Sequence, residues 1–497
     1  MKIAVSNDLM RRSDGAEIAS GTSSKELMRR AGVAVSENYP WTSGTVIVCG
    51  VGNNGGDGYV LALELFRKGI ACRLVLLEER FSEDGRYYFE QCVELGIPWE
   101  IFSAKTDLSG ASAVADCIFG TGFHGCADGR AAELICLMNR CGAPVVSVDV
   151  NSGLNGDSGL GTPCIRSDLT VAIGAYKYGH FLGNAKDVMK QKTCVDIGIP
   201  ILNEFQCKVA EKADFQGFFG SRPQHSHKGN YGYVGLLGGC MEYSGAAKLA
   251  NMSCAALRSG CGVATLAVPR SIATGVMPYL LESTLYPMPD GGTGHMRFDA
   301  ETLDGFLQGK KAVAVGMGWG QSSEHKKILS YILEHYESSL VIDADGLNTL
   351  AQLEPSVLKN TTAKVVLTPH LKEFERISGI PLTEIAKDPV SHARRYAEEM
   401  GVCLLLKGAC TVVTDGNEGY LVDRGCAGMA TAGSGDVLSG ILVGLLGYSP
   451  ADVRTVACGA YLAGLAGELA EADVNGVSMM ASDTVNHIAK AVSEILR

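Results

Sequence analysis

Short runs of Val, Ile and Leu that stop on glycine, each followed by a stretch with helical spacing, recur along this chain and leave little choice of architecture. Over residues 1–213 the runs are TVIVCG, CRLVLLE, AVADCIFG, PVVSVDV and LTVAIG, with YVLALELFRKG and AELICLMNRCG between them as helices. Strands that alternate with helices return to parallel neighbours, so an α/β fold with a doubly wound parallel sheet is expected. Ahead of it, residues 17–36 read as a leading helical segment interrupted at Gly21. The pattern fades between Glu204 and Arg222, where the chain turns polar and reaches Pro223. We therefore expect one domain over 1–213 and a second over 222–497. The second repeats the theme in YGYVGLLGG, GVATLAV, KAVAVGMG, SLVIDADG, AKVVLTPH and VCLLLKG, then continues into a hairpin of CTVVTDG and GYLVD.

Composition narrows the partners. A net charge of -11 disfavours nucleic acid and anionic membrane surfaces. No apolar stretch reaches the roughly 18–20 residues that span a bilayer. The opening MKIAVSNDLMRRSDGAE lacks the apolar core of a secretory signal, so a cytoplasmic location is expected. The 17 cysteines are odd in number, form no CxxC, and often lie in apolar runs, as Cys49, Cys254 and Cys403 do. They read as reduced, buried thiols. Paired zinc-ligand spacings are missing as well, and His225 and His227 in QHSHKG read as a surface or pocket-rim feature.

The first chemical motif is VIVCGVGNNGGDGYV. Gly50, Gly52 and Gly55 match G-x-G-x-x-G, and Glu78 stands near where a ribose-binding acid belongs, which would suit an NAD cosubstrate. That reading does not require Asn53, Asn54 and Asp57. Two further strand ends carry oxygen ligands: Asp116 in DCIFGTGFHG, and Asp149, Asn151 and Ser152 in SVDVNSGLNGDSG. Oxygens converging from Asn54, Asp116 and Ser152 suit a hard cation. Taken singly, Asp116 could cap a turn, and Asn53 and Asn54 could tolerate left-handed backbone.

Together with the LMRRAG helix, these motifs resemble the epimerase domain of the NAD(P)H-hydrate repair enzymes over roughly the first two-fifths of the chain. The resemblance implies a Rossmann-like domain that binds the damaged cofactor NAD(P)HX. Asn53, Asn54, Gly55, Gly56, Asp57, Gly120, Thr121, Gly122, Phe123, His124, Gly125 and Cys126 would contact the hydrate. Asn54, Asp116 and Ser152 would hold potassium, and Asp149 would be the acid/base. Inverting the hydroxyl-bearing C6 of the nicotinamide ring passes through a cationic intermediate, which a carboxylate can stabilise while moving the proton.

In the second half, GMATAGSGDVLSG places a glycine turn and Asp436 at a helix start, where backbone N–H groups favour anions. Asp436 could take a proton from a hydroxyl beside a transferring phosphoryl group, or simply cap the helix. Lys407 and Gly408 end a strand with Thr411 just beyond, TPHLKEF supplies His370 and Glu373, and VIDADGLN supplies Asp343 and Asp345. No P-loop motif is present. In this order the motifs resemble the ribokinase-like superfamily, and within it the nucleotide-dependent NAD(P)H-hydrate dehydratase domain. By that resemblance Lys407, Gly408, Ala409, Cys410, Thr411 and Gly435 would contact the nucleotide, ADP in the bacterial-type enzymes. Ala246, Gly318, His370 and Asp436 would contact the hydrate, with magnesium on the nucleotide phosphates. Leu371-Lys372 after TPH, and Met317 and Trp319 in GMGWG, depart from the family's usual Pro-Gly, Pro and Leu.

The expected protein is therefore a two-domain repair enzyme acting on NADHX and NADPHX with ADP, and a homo-oligomer is expected. The alternatives are a ribokinase-type vitamin-precursor kinase with an accessory nucleotide-binding domain, and a non-catalytic scaffold.

Overall fold

The computed structural model describes residues 2–255 and 258–497, and the chain divides into two units, Lys2–Gln206 and Cys207–Arg497. In the first unit the strands are β1 (Ile3–Val5), β2 (Thr45–Cys49), β3 (Cys72–Leu76), β4 (Trp99–Ile101), β5 (Val114–Cys117), β6 (Val145–Val148), β7 (Ser167–Ile173), β8 (Tyr176–Lys177) and β9 (Met189–Val195). Seven of them form one sheet in the order β4-β3-β2-β5-β6-β7-β9, with every pairing parallel. The small pair β1 and β8 is also parallel.

Burial on both faces explains the continuous apolar strands. Ile47 and Cys49 face Leu61, Leu65 and Leu74 on one side, while Val46 and Val48 face Leu134 and Ile135 on the other. The leading segment is two helices, Asn7–Ser20 and Ser24–Glu37, broken at Gly21 with φ 121°. The first begins ten residues before the sequence reading placed it. Its exposed face is polar, only Leu9 and Met10 are large apolar residues facing inward, and Ser6 supplies the N-cap. The edge strand β9 gave no apolar run either, because Lys190 and Gln191 are exposed.

The strand order reverses between β2 and β5: the chain leaves β2 towards β3 and β4, and β5 starts the other half. In open α/β sheets the crevice beyond the carboxyl ends at such a point takes the ligand. The loop after β2 passes into the helix Asn53–Arg67, and the loop after β5 runs beside it.

The second unit contains β10 (Cys207–Val209), β11 (Tyr233–Leu237), β12 (Val263–Pro269), β13 (Thr284–Met288), β14 (Ala312–Val315), β15 (Ser339–Ile342), β16 (Lys364–Leu367), β17 (Cys403–Leu406), β18 (Thr411–Thr414) and β19 (Gly419–Val422). Their order is β13-β12-β11-β14-β15-β16-β17-β18-β19-β10. The two pairings of β18 are antiparallel, which is the hairpin read from sequence plus its neighbour. Here too the order reverses, between β11 and β14.

Residues 207–213, assigned from sequence to the first domain, belong to the second. Cys207 pairs with Gly419, and Phe215 is fully buried against Tyr420 and Tyr461. A three-residue strand is too short to show periodicity, so the boundary could only be read from its pairing. The described cysteine side chains are free thiols, and that of Cys254 lies outside the described residues. Among the described residues no helix is long and apolar enough to cross a membrane.

Gly55 sits where the helix Asn53–Arg67 meets the turn after β2, and a Cβ there would lie 2.1 Å from the Gly50 carbonyl oxygen. Backbone cannot yield as a side chain can. Gly55→Ala is expected to cost the first unit about 3 kcal/mol. At about 2–4 °C per kcal/mol, calorimetry of the full chain should show a midpoint lower by roughly 6–12 °C.

Candidate active sites

In the first unit three oxygen-bearing residues meet around Phe119. Asn54 lies in the first turn of its helix and is buried; its Nδ2 donates to the Phe119 carbonyl at 2.9 Å, while its Oδ1 is buried without a partner. Asp116, wholly buried in β5, accepts Ser147 Oγ at 2.8 Å, Ser152 N at 2.9 Å and Ser152 Oγ at 2.5 Å. Burial pushes the Asp116 carboxyl up, and these hydrogen bonds only partly oppose it. Ser152 Oγ also accepts Phe119 N at 2.8 Å.

Beside this cluster stands Asp149, held at φ 66°, a left-handed conformation that costs a non-glycine residue about 1–3 kcal/mol. Its Oδ1 accepts the buried Lys177 Nζ at 2.5 Å and its Oδ2 accepts Thr121 N at 3.1 Å. A Cβ on Gly120 would come within 3.0 Å of Asp149 Oδ2 and 3.4 Å of Asn54 Cγ, so that glycine joins the two groups. Burial alone would raise the Asp149 carboxyl, but the Lys177 ammonium, with lesser help from the Thr121 N–H, holds it below its usual range. His180 is pushed down to about 4, by burial first and then by Lys177. As a neutral ring it accepts Lys177 N at Nδ1, 2.9 Å, and donates from Nε2 to the Asp149 carbonyl, 2.6 Å. Half-buried Asp57 moves the opposite way, well above the carboxylate range, through burial and then the charges of Asp149 and Asp14. Burial likewise pushes Asp14 up to about 6.

The structure thus brings together Asn54, Asp57, Asp116, Gly120, Thr121, Asp149 and Ser152. Gly55 and Gly56 are buried beneath them and Asn53 is exposed at the turn. Phe123 stacks on Phe119 at 4.5 Å, and Gly122, His124, Gly125 and Cys126 form an exposed rim. Glu78 is exposed beyond the end of β3. Sequence reasoning missed Lys177, His180 and Asp14. AYKYGH directly after LTVAIG was a usable signal, a lysine in an aromatic stretch at a strand end, whereas Asp14 gave none.

In the second unit the polar residues stand beyond neighbouring strands. Lys407 follows β17, bridges His370 in parallel register, and places Nζ 2.9 Å from Asp343 Oδ1 and 3.7 Å from Glu373 Oε2. Buried Asp343 follows β15, and its Oδ2 accepts Ser439 Oγ at 2.7 Å. Ala344, at φ 49°, starts the helix Asp345–Leu350 at once, and Asp345 accepts Gly320 N at 2.8 Å. Gly435 opens the helix Ser434–Leu446 so close that a Cβ would lie 3.5 Å from Lys407 Nζ. Asp436 follows it, pushed up to about 7 by burial and then by Asp343, with Lys407 opposing.

His370 caps the helix Leu371–Ser378. Its Nδ1 accepts Lys372 N and Glu373 N at 3.1 Å each, and Glu373 Oε2 accepts His370 N at 2.8 Å. Leu371-Lys372 therefore forms an ordinary first helical turn. Met317 and Trp319 are fully buried in the core, so those departures leave the site surface to Gly318, at φ 64°. A Cβ on Gly318 would lie 2.6 Å from the Tyr243 carbonyl and 2.8 Å from Ala246 Cβ, which fixes Ala246 beside it. Gly408 and Ala409 are exposed in the hairpin turn, Cys410 is buried beneath it, and Thr411 begins β18. Ser439 was not read from sequence. His227 is exposed and caps a short turn through Gly229 N.

Comparison with known proteins covers both units. A family described as NAD(P)H-hydrate dehydratase matches residues 234–490, and one described as YjeF-related protein N-terminus matches residues 24–179. The bifunctional NAD(P)H-hydrate repair enzyme Nnr of Moorella thermoacetica is 34% identical over 488 residues, covering 93% of this chain and 91% of that one. The chain belongs to the bifunctional NAD(P)H-hydrate repair enzymes. Another member of that repair family, from Escherichia coli, is 31% identical over 488 residues, with 94% and 89% of the two chains covered. Solved structures share the fold of the second unit. An ADP/ATP-dependent NAD(P)H-hydrate dehydratase from Bacillus subtilis is 24% identical, with a TM-score of 0.50, covering 59% of this chain and 99% of that one. A ribokinase-like superfamily protein from Enterococcus faecalis is also 24% identical, with a TM-score of 0.51 and coverage of 58% and 96%. Relatives in this repair family that match through both halves set aside a vitamin-precursor kinase and a scaffold.

A carboxylate that takes a proton must be ionised. A dehydratase that uses Asp436 as its base is therefore expected to lose kcat/KM as pH drops through about 7, where Asp436 becomes protonated. Asp343→Asn removes negative charge beside Asp436, so the acid limb of the pH–rate profile should move to lower pH.

Proposed function

We propose that this chain epimerises R- and S-NAD(P)HX in its first unit and dehydrates S-NAD(P)HX to NAD(P)H in its second, consuming ADP. The observation that carries the reading is that both strand-end clusters are complete in one chain: Asp149 with Lys177, and Asp436 with Lys407.

In the first unit Asn53, Asn54, Gly55, Gly56, Asp57 and the segment from Gly120 to Cys126 bind the hydrate. Asp57, its carboxyl raised by burial, gives a proton to the C6 hydroxyl as the C–O bond breaks, and the ring nitrogen carries the resulting positive charge. Asp149, held ionised by Lys177, faces that charge and takes a proton from the water that adds to the opposite face. The unpartnered Asn54 Oδ1, with the oxygens of Asp116 and Ser152 nearby, suits potassium. Asn54, Asp116 and Ser152 would hold the ion, which supplies fixed positive charge near the substrate.

In the second unit Lys407, Gly408, Ala409, Cys410, Thr411 and Gly435 bind the nucleotide, and Ala246, Gly318 and His370 bind the hydrate. Asp436 takes the proton of the C6 hydroxyl, whose oxygen attacks the terminal phosphorus of ADP while AMP leaves. Loss of phosphate and of a C5 proton then restores the ring double bond. The hard oxygens of Asp343 and Glu373 beside Lys407 suit magnesium, which binds through one or two carboxylates together with phosphates. When bound, it neutralises charge on the transferring group. The N–H groups opening the helix Ser434–Leu446 stabilise the same charge.

Racemic NADHX with ADP and magnesium tests both halves through the returning dihydronicotinamide absorbance. Full recovery is expected from the native chain and none from Asp436→Ala. Asp149→Ala should slow the second half of the recovery by about 10²–10⁴-fold, the usual span of acid–base catalysis. No recovery by the native chain would refute the reading. Potassium at 100 times its Kd should stabilise the first unit by about 2.7 kcal/mol relative to a large organic cation. Ser152→Ala should remove that difference in calorimetry.

A further inference from the structure

Three side chains of metal-ligating type meet on the loops after β11 and β13, beside the segment that leads to Ala246. Cys240 follows the end of β11 and is fully buried, Glu242 is two residues on and exposed, and His295 comes from the loop after β13. One ligand atom from each lies within 4.8 Å of the other two, and among the described residues this is the one such group of His, Cys, Asp or Glu. His295 Nε2 and Glu242 Oε2 are 3.3 Å apart, close to the edge of a tetrahedron with bonds of about 2.0–2.1 Å.

The two loops are ordered independently of that contact. Met241 N, between Cys240 and Glu242, donates to the carbonyl of Gly294, the residue before His295, at 3.0 Å. Asp290 braces the second loop by accepting Gly292 N at 3.1 Å and Gly294 N at 3.3 Å. Gly320 closes the inner side: a Cβ there would lie 3.2 Å from His295 Cε1 and 3.4 Å from Cys240 Sγ, so thiol and imidazole lie over one glycine. Thiolate, imidazole and carboxylate together select a borderline metal over magnesium, potassium or calcium, and three protein ligands leave a fourth position open.

We propose that Cys240, Glu242 and His295 bind one zinc ion, or a divalent metal of like chemistry, clamping the loop after β11 to the loop after β13. The clamp bears on the segment leading to Tyr243 and Ala246, which packs against Gly318.

The test uses the full chain loaded with zinc chloride, desalted, and assayed for bound metal by mass spectrometry. The native chain is expected to retain one more zinc than His295→Ala or Cys240→Ser, and zinc should raise its thermal midpoint but not theirs. Adventitious zinc on the exposed Cys126 and Cys136 is common to all three and cancels. Glu242→Gln alters an exposed side chain and should raise the zinc Kd at least about tenfold, the smaller effect of losing even an outer-sphere partner. Cobalt should give a tetrahedral ligand-field spectrum with a thiolate charge-transfer band that Cys240→Ser abolishes. Equal zinc in the native chain and His295→Ala, or a cobalt spectrum without the thiolate band, would overturn the proposal.

Discussion

In each unit one lysine ammonium, withdrawn from water, faces an aspartate at a strand end: Lys177 against Asp149, and Lys407 against Asp343. An ammonium in such a place needs a carboxylate partner, since stranding either charge costs about 3–5 kcal/mol. The pairing also divides the surrounding acids into two kinds. Asp149, in contact with its lysine, stays ionised, whereas Asp57 is driven towards the protonated form. In the second unit the Lys407 ammonium lies against Asp343, and Asp436 beside them is left with a raised pKa near neutrality. Carboxyl groups with raised pKa therefore arise beside the ion pairs because one ammonium cannot neutralise several neighbouring carboxylates.

Geometry at the strand ends makes those pairings hold. Asp149 and Ala344 both sit at positive φ just beyond the ends of parallel strands, conformations that survive only where the surroundings dictate them. Around Asp149 the constraint is dense: its carboxylate, its carbonyl and the Lys177 backbone are joined through Thr121 and the neutral His180 ring. Around Asp343 it is the Ser439 hydroxyl and the Lys407 ammonium that take the two carboxylate oxygens. These two strained residues thus lie in or beside the ion pair of their unit.

Much of this was legible in the sequence, for identifiable reasons. Buried parallel strands are continuous apolar runs, and polar residues set into or just after them beside glycine turns mark the crevice at the carboxyl ends. Asn54, Asp57, Asp116, Asp149, Ser152, Lys407 and Asp436 all stood at such positions. Lys177 was overlooked because it lies in a two-residue strand among aromatics, and Asp14 because it sits on a helix whose neighbours are charged. The domain boundary slipped because Cys207–Val209 becomes a strand only by pairing with β19. The Cys240, Glu242 and His295 cluster was invisible for a related reason: His295 lies more than fifty residues from the other two, and a lone Cys-x-Glu announces nothing.

What the sequence alone determined was the class of fold, the positions of the strand ends and the type of chemistry those ends carry, since periodicity and residue type are local properties. Only the tertiary structure decided which carboxyl group is held ionised and which protonated. That depends on burial and on charges brought from distant segments, such as Lys177 onto Asp149 and Asp343 onto Asp436. Ionisation in a low-dielectric site is a property of the assembled neighbourhood, and no single stretch of chain contains it.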